Sequence, residues 1–456
     1  MNDVPLPPPS GPDDTSQFNT AMNDAGDHGT VIVPDGVTYQ IQSEINMRRN
    51  GVKLRGLGAG STLHLVGDGT LVANDSRDCL VENLTFTDER VSMGTRQGSI
   101  FAQAAERFSV RRCSFVGGGH QVALNGSRGC DVVSCRFTGL TIAANCVFAY
   151  LCEDLLLSDL HAGPFGAYTS PFVYPAASYS PRVFETSRCN RVQVIGGSIR
   201  NVDMSPVPAG VALALSGTTT GLVTGFTASG NFGAHGIATD SVSTDAGTLR
   251  TSGIVFDQCV SSDNGHLRGG NVQSGAGFDI FSSDDITLVR CIAIRNGEAG
   301  GHPGINLSRS KGVAMRNCEV RESWGHGVVV TSTPDVTLER VQSTQNKRSG
   351  LIIIRDEQTT IESTGVRIVG GDYSTNGKAG SPDVREKQGI YVGHGSKVDL
   401  VQTRASDDST GTRMQQYGVF GANSSETYGL KLDLRLNASG PYASDGATVI
   451  VTHSML

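Results

Sequence analysis

Residues 304–307 read Gly-Ile-Asn-Leu, residues 327–330 read Gly-Val-Val-Val and residues 350–353 read Gly-Leu-Ile-Ile. Each segment opens with glycine and continues with the branched, apolar residues of a short buried strand. The phrase recurs at spacings between 23 and 41 residues, and its glycines are Gly210, Gly236, Gly277, Gly304, Gly327, Gly350, Gly389 and Gly418. A strand-rich repeat this short and this tolerant of insertion predicts a solenoid, in which equivalent positions of successive coils stack into columns.

The composition fits narrow coils better than a broad globular core. The chain has 456 residues, of which 58 are glycine, and only 6% are aromatic. A single globular core rarely grows to this length, whereas each coil of a solenoid packs only on its neighbours. The chain therefore needs no second or third domain to account for its length.

The N-terminal segment carries a more specific pattern. Asp13-Asp14-Thr15 is an N-cap cluster, and apolar residues follow it at helical spacing: Phe18, Ala21, Met22 and Ala25. The next stretch reads Gly29-Thr30-Val31-x-Val33-Pro34-x-Gly36-x-x-Tyr39-x-Ile41. Together they resemble the N-terminal signature of the pectate-lyase-like right-handed parallel β-helix superfamily. That superfamily includes polygalacturonase-type hydrolases, polysaccharide lyases, epimerases and phage tailspikes.

We therefore predict an all-β fold, a single right-handed parallel β-helix with a short N-terminal capping helix. The predicted parts are a lead-in and cap over residues 1–50, the β-helix over 51–427, and terminal strands over 428–456 that close the stack or pair with another subunit. Residues 1–12 are polar and Pro-rich, so we expect disorder there rather than a signal peptide. This fits an extracellular protein whose signal was removed, or a virion component exported without one.

Bulk charge and hydropathy disfavour two classes of partner. The net charge of −7 gives nucleic-acid binding no global electrostatic support. No run of 18 apolar residues is present, so the sequence predicts no membrane span.

Two polar residue types recur at fixed places in the repeats. Five of the ten cysteines share one position, which favours a column of buried free thiols over disulfides, although spacing alone leaves both open: Cys113, Cys135, Cys259, Cys291 and Cys318. Asparagines recur at the turns: Asn231, Asn264, Asn296, Asn346 and Asn376. Asparagine tolerates the left-handed conformation that such corners need, and its amide can pair with that of the next coil.

Strand alternation predicts which side chains leave the coil. In Gly-Ile-x-Leu, Ile and Leu point inward and x points outward. Acids and histidines cluster in the outward columns of a few adjacent coils, where Asp240 and Asp279 fall on consecutive strands. A strand spacing of about 4.8 Å places their carboxylates roughly 5–9 Å apart. Paired carboxylates at that separation suit glycoside hydrolysis, so we predict Asp240 and Asp279 as the catalytic residues.

Other side chains near these coils are predicted to bind the sugar. Gly325-His326-Gly327 resembles the Gly-His-Gly segment of the polygalacturonase family, although that family's Arg-x-Lys and Asn-Thr-Asp motifs are absent. Trp324, the only tryptophan, offers a stacking surface, and the aromatic insertion 161–182 offers a groove wall. The predicted substrate-binding residues are His235, His302, Asn306, Arg309, Trp324, His326, Tyr168 and Arg182.

These features predict cleavage of a polysaccharide in a groove along coils 210–355, with hydrolysis as the leading mechanism. One alternative is β-elimination by a polysaccharide lyase, for which Arg268, Arg295 and Arg309 lie in suitable coils. Another is a non-catalytic, homotrimeric phage tail or receptor-binding protein that binds glycans. No metal or other cofactor is predicted, because Ca²⁺ would suit a lyase but no dense acidic cluster supports it.

Overall fold

A computed structural model describes most of the chain: residues 2–90, 98–139, 145–164, 182–204, 210–265, 275–298, 300–377, 383–407 and 413–452. Within these ranges the secondary structure is almost entirely β-strand, with one α-helix, Thr15–Ala25, and one short 3-10 helix, Val384–Glu386. No helix there is both long and apolar enough to cross a membrane. The chain divides into two compact units, residues 1–206 with 213–222 and residues 207–212 with 223–456.

In the first unit, successive coils add strands to three sheets, here called A, B and C in the order in which the chain visits them. Sheet A contains Asp3–Pro5, Thr30–Val33, Lys53–Gly56, Leu80–Glu82, Ser109–Arg111, Asp131–Val133, Glu153–Ser158 and Asn190–Ile195. Sheet B contains Thr38–Ile41, Thr62–Leu65, Thr85–Asp88, Ser114–Gly117, Arg136–Phe137, His161–Ala162 and Ser198–Arg200. Sheet C contains Glu44–Asn46, Thr70–Val72, Ile100–Gln103, Val122–Asn125, Val147–Tyr150 and Arg182–Ser187.

The second unit repeats the same order of sheets. Its strands in sheet A are Thr251–Asp257, Ser283–Asp284, Thr287–Val289, Ala314–Arg316, Thr337–Glu339, Val366–Val369, Lys397–Val401, Glu426–Leu430 and Thr448–Thr452. Those in sheet B are Thr227–Ser229, Val260–Ser262, Ile292–Ile294, Glu319–Arg321 and Gln342–Thr344. Those in sheet C are Ala234–Asp240, Phe278–Phe281, Ile305–Ser308, Val328–Thr331, Leu351–Ile354, Gln388–Val392, Tyr417–Ala422 and Gly440–Asp445. Gly210–Ser216 and Thr219–Thr224 contain residues of both units.

Strands of successive coils pair in parallel and in register. In sheet C, Ile305 pairs with Val328 and Val328 with Leu351, so the inward apolar residues of the repeat form a continuous column. The sheet B interior of the first unit shows the same stacking, because the Phe86, Phe115 and Phe137 rings lie nearly parallel with centroids 5.1 and 5.2 Å apart. The prediction of an all-β parallel β-helix is confirmed.

The N-terminal helix covers the first coil as the sequence predicts. Helix Thr15–Ala25 buries Phe18, Ala21, Met22 and Ala25, and the Phe18 ring meets Tyr39 edge-on at 5.3 Å. Upstream, Asp3–Pro5 pairs in parallel with Thr30–Ile32. The prediction of disorder for residues 1–12 is therefore wrong at Asp3–Pro5. An unpaired strand edge has unsatisfied backbone groups, and this short segment covers the edge of strand Thr30–Val33.

The asparagines predicted at the turns form a buried ladder in the second unit, here called the asparagine ladder: Asn231, Asn264, Asn296, Asn346 and Asn376. Asn231 Nδ2 donates to Asn264 Oδ1 at 2.8 Å, and Asn346 Nδ2 donates to Asn376 Oδ1 at 2.9 Å. The glycines that open the sheet C strands lie directly against these amides. A Cβ at Gly350 would lie 2.5 Å from Asn376 Nδ2, so glycine is required there by close approach.

The asparagine amides pair between coils as predicted. The asparagines themselves, however, do not adopt the left-handed backbone conformation that was predicted for them. The left-handed conformation belongs to the residue before each asparagine, with φ of 55° at Asp263, 50° at Arg295 and 57° at Gln345. That residue faces solvent, and Arg295 Nε donates to Asp263 Oδ1 at 2.7 Å. The corner therefore places the strained residue outside, where ion pairs form, and leaves the asparagine to hydrogen-bond inside.

The ten cysteines are all buried free thiols. They donate weak hydrogen bonds to backbone carbonyls, for example from Cys259 Sγ to the Val223 oxygen at 3.4 Å. Burial raises the pKa of the Cys113 and Cys146 thiols well above the usual value, so these groups stay protonated and unreactive while the coils are closed.

Candidate functional site

The register of sheet C in the second unit places the polar residues of two adjacent coils side by side. Ala238 pairs with Asp279, and Asp279 pairs with Asn306, all at the outward position of the strand. Further along the same column the residues are Val329 and Ile352, so the polar character ends after Asn306. Asp279 and Asn306 therefore form a two-residue polar segment of an otherwise apolar column.

Two side chains contact the Asp279 carboxylate from neighbouring coils. Asn306 Nδ2 donates to Asp279 Oδ1 at 2.8 Å. His235 Nε2 faces Asp279 Oδ2 at 3.6 Å, and these two side chains are only 14% and 18% exposed. The carboxylate is thus partly shielded from water, where its electrostatic interactions are stronger than at a fully exposed position.

The backbone determines the proton position on His235. The Ala276 N–H donates to His235 Nδ1 at 3.2 Å, so the neutral ring carries its proton on Nε2, the atom that faces Asp279. The His302 ring packs against His235 with centroids 6.3 Å apart. The Asp279 carboxylate is therefore faced by Asn306 Nδ2 and His235 Nε2, an arrangement that suits a base or nucleophile. Asp279, His235 and Asn306 are here called the Asp279 constellation.

Asp240, the second predicted catalytic residue, lies at the end of strand Ala234–Asp240. Its Oδ1 accepts the Ser241 N–H at 2.6 Å, and its backbone carbonyl accepts the Thr251 hydroxyl at 2.6 Å. An antiparallel hairpin of Val242–Thr244 and Gly247–Leu249 follows. The sequence showed extra length there but not this hairpin, although the Asp245-Ala-Gly247 turn was an available signal.

Three further predicted residues of the second unit do not contact the Asp279 carboxylate among the contacts of the described residues. Arg309 Nε donates to Asp356 at 2.9 Å, and its guanidinium lies 5.7 Å from the centre of the Phe281 ring. His326 is partly buried, its Nδ1 has no hydrogen-bond partner among the described residues, and burial lowers its pKa to about 3. Trp324 is 40% exposed, with the Lys347 ammonium 5.2 Å from its ring centre.

Of the two predicted residues that precede Gly210, the structure describes one. Arg182 belongs to the first unit, where Nη1 forms an ion pair with Glu185 at 2.5 Å. Glu185 is buried and also accepts a hydrogen bond from Asn145 Nδ2 at 2.7 Å, which indicates a structural role for the pair. Tyr168 lies outside the described residues.

Sequence reasoning missed a groove beside Trp324. It has a volume of about 470 Å³, and its lining includes Glu298, Gly301, Trp324, Lys347, Arg348 and Met414. Within the described residues, no group of three His, Cys, Asp or Glu side chains is arranged to hold a metal ion.

Comparisons with known proteins agree with this architecture. A family model described as the right-handed β-helix region matches residues 271–404, the part that contains Asp279 and Trp324. The chain has the fold of a right-handed parallel β-helix. The predicted resemblance to the pectate-lyase-like superfamily is thereby confirmed at the level of the fold. No curated protein matches this β-helix chain in sequence.

Two solved β-helix structures illustrate the similarity. The pre-mature gene product 12 of bacteriophage phi29 has a TM-score of 0.55 and 11% identity, over 96% of this chain and 66% of that one. The Agl-KA catalytic domain has a TM-score of 0.53 and 10% identity, over 99% of this chain and 69% of that one. Identities this low show a shared fold alone.

Proposed function

We propose that this β-helix protein hydrolyses a polysaccharide on the outward face of sheet C in its second unit, with Asp279 as the base or nucleophile. The observation that carries the proposal is the Asp279 carboxylate, partly shielded between the His235 and Asn306 donors. A carboxylate held in this way is positioned to act on the anomeric centre or on a water molecule. The similar Agl-KA structure is a catalytic domain, which supports catalysis on this fold.

Asp240 is the proposed proton donor. In glycoside hydrolysis one carboxyl group protonates the leaving oxygen while the other attacks the anomeric carbon or activates water. Asp240 is on the strand next to that of Asp279 and two residues further along, on the side where the hairpin Val242–Leu249 rises.

The lyase alternative has less support from the arginines that it requires. Arg309 is paired with Asp356, and Arg295 is paired with Asp263. An arginine held by a carboxylate is a poor proton acceptor and has less charge to offer a uronate. Arg268, the third arginine in the predicted coils, lies outside the described residues.

The test is a glycan-degradation screen with the wild-type chain and Asp279→Asn. The screen covers neutral, uronate and bacterial surface polysaccharides and measures both new reducing ends and the ultraviolet absorbance of unsaturated products. We expect reducing ends without absorbance, and a loss of roughly 1,000-fold in turnover for Asp279→Asn, as for removal of a catalytic acid or base. Circular dichroism should show an unchanged fold, because asparagine has the same shape.

The matched control is Asp257→Asn, which removes an equal charge from sheet A, where Asp257 pairs with Arg290. It should leave turnover unchanged. Near-wild-type activity of Asp279→Asn would refute the assignment, and ultraviolet-absorbing products would establish a lyase instead.

A second candidate is a glycan-binding component of a virion or extracellular surface, with polysaccharide as its partner and a homotrimer as its assembly. Exposed apolar side chains on the terminal strands favour it: Tyr428 is 43%, Leu430 42% and Ile450 50% exposed. Such residues are typical of surfaces that contact another chain. Glycan binding without any product across the screen would favour this candidate.

A further inference from the structure

The groove beside Trp324 is created by one column of the corner between sheets B and C. Ser323 takes one place in the ladder, between Asn296 and Asn346. From Asn264 onward, the residues that follow the ladder positions in successive coils are Gly265, Gly297, Trp324, Lys347 and Gly377. Ser323 holds its place because its N–H donates to Asn346 Oδ1 at 3.0 Å. Trp324 and Lys347 thus stand next to each other with glycine on both sides, and the column leaves open space at its flanks.

Lys347 presents an ammonium group to this space. Its nitrogen lies over the Trp324 ring, whose negative face attracts a cation but accepts no strong N–H hydrogen bond. Within the described ranges, no carboxylate forms an ion pair with Lys347. The ring positions the charge at the groove, while the ammonium donors remain available to an anion.

A second cation lines the same groove. Arg348 Nε pairs with Glu386 Oε1 at 3.0 Å, and the guanidinium lies against the backbone of Gly301. A Cβ at Gly301 would lie 2.8 Å from Arg348 Nη2, so the glycine provides the room for this arginine. Glu298 also lines the groove, so its lining contains two cations and one carboxylate.

One short loop connects the groove with the proposed catalytic residues. Gly301 lines the groove, and the next residue, His302, packs its ring on His235. The loop is fixed because the His302 carbonyl accepts the Gly325 N–H at 3.1 Å. A ligand in the groove would therefore lie beside Gly301. The next residue, His302, packs on His235, which faces Asp279.

We propose that this groove is a subsite for an anionic sugar, with the carboxylate or sulfate group of the sugar at Lys347 and its ring against Trp324. The inference rests on the proposed function only in taking the ligand to be a glycan. It does not require Asp279 to be catalytic.

Trp324 provides a direct measurement because it is the only tryptophan in the chain. The full-length Asp279→Asn variant is titrated with uronate oligosaccharides, their carboxyl-reduced neutral counterparts, and sulfated and desulfated glucan oligosaccharides, while tryptophan fluorescence is recorded. We expect an acidic oligosaccharide to bind at least about tenfold more tightly than its neutral counterpart, and its affinity to fall as salt concentration rises.

Lys347→Gln in the same background should weaken binding of the acidic oligosaccharide by roughly tenfold, as for one lost charge-assisted contact. Lys311→Gln, an exposed lysine 4.0 Å from Asp335, is the matched control and should change nothing. Preference for uronate identifies the anion as a carboxylate, and preference for the sulfated glucan identifies it as a sulfate. Equal binding of acidic and neutral oligosaccharides, unchanged binding by Lys347→Gln, or no response to any probe would overturn the subsite.

The outcomes separate the two proposals. If the wild-type chain hydrolyses a glycan but acidic oligosaccharides bind no more tightly than neutral ones, the hydrolase proposal stands and the anionic subsite is refuted. If acidic oligosaccharides bind more tightly at Trp324 but no glycan is hydrolysed, the subsite proposal stands and the catalytic assignment of Asp279 is refuted.

Discussion

Replacing Asn346 by alanine tests whether the asparagine ladder holds the coils of the second unit together. The Asn346 amide makes three buried hydrogen bonds: Nδ2 donates to Asn376 Oδ1 at 2.9 Å and to Ser343 Oγ at 3.2 Å, and Oδ1 accepts the Ser323 N–H at 3.0 Å. At about 1 kcal/mol each, these bonds contribute about 3 kcal/mol. The Ser323 N–H would also lose its partner, which costs about 1 kcal/mol more. We therefore expect Asn346→Ala to lower the free energy of unfolding by about 4 kcal/mol.

The neighbouring ladder position provides the control. Ser323 Oγ is buried and has no hydrogen-bond partner among the described residues, so Ser323→Ala removes a polar atom without breaking a bond. We expect a change within about 0.5 kcal/mol, or a small gain in stability. Both variants replace a buried polar side chain in adjacent coils by the same residue.

Urea unfolding followed by Trp324 fluorescence and by circular dichroism is the appropriate assay. Trp324 is adjacent to Ser323 and reports the coils that the substitutions affect, while circular dichroism reports all strands. Because each coil of a solenoid contacts only its neighbours, the fluorescence transition should shift more than the dichroism transition. A loss below about 1 kcal/mol for Asn346→Ala, or equal losses for the two variants, would refute the role of the ladder.

Two further predictions concern the glycine column and a buried histidine. Gly350→Ala should lower the free energy of unfolding by about 2 kcal/mol, because its Cβ would meet Asn376 Nδ2 at 2.5 Å, whereas Gly11→Ala, with no atom within 4 Å, should be neutral in the same urea assay. Burial lowers the pKa of His120 to about 4, below the unfolded value of about 6.5. Between these values the unfolded chain binds more protons, so His120 costs the fold about 3 kcal/mol as pH falls from about 6.5 to 4. His120→Gln should flatten this part of the stability profile, and an unchanged slope would contradict the assignment.

Strand register in sheet C could be predicted because the sequence signal is local. Alternation fixes which residues face outward, and the repeated glycine aligns one coil with the next, so the neighbours of Asp279 follow from counting. The N-terminal helix was predictable for the same reason, since its apolar residues recur at helical spacing. In both cases the determining contacts are periodic along the chain.

The corners and the site contacts were harder to predict because they depend on side chains that meet across coils. Counting placed the asparagines at the turns, but it could not show that the preceding residue, such as Arg295, takes the left-handed conformation. It also could not show that the His235 ring faces Asp279 on the next coil, or that Arg309 forms an ion pair with Asp356. Lys347 was overlooked, although its position after a ladder asparagine, between Trp324 and Gly377, could have identified it.

The buried free thiols allow the local opening of individual coils to be measured in the unmodified chain. Cysteines occur in many coils of both units, from Cys79 to Cys318, and all are buried. A thiol reagent can modify each one only while its own coil is open, so the labelling rate at each cysteine measures the free energy of opening at that place. Mass spectrometry of the labelled peptides would therefore give a coil-by-coil map of stability without introducing a single probe.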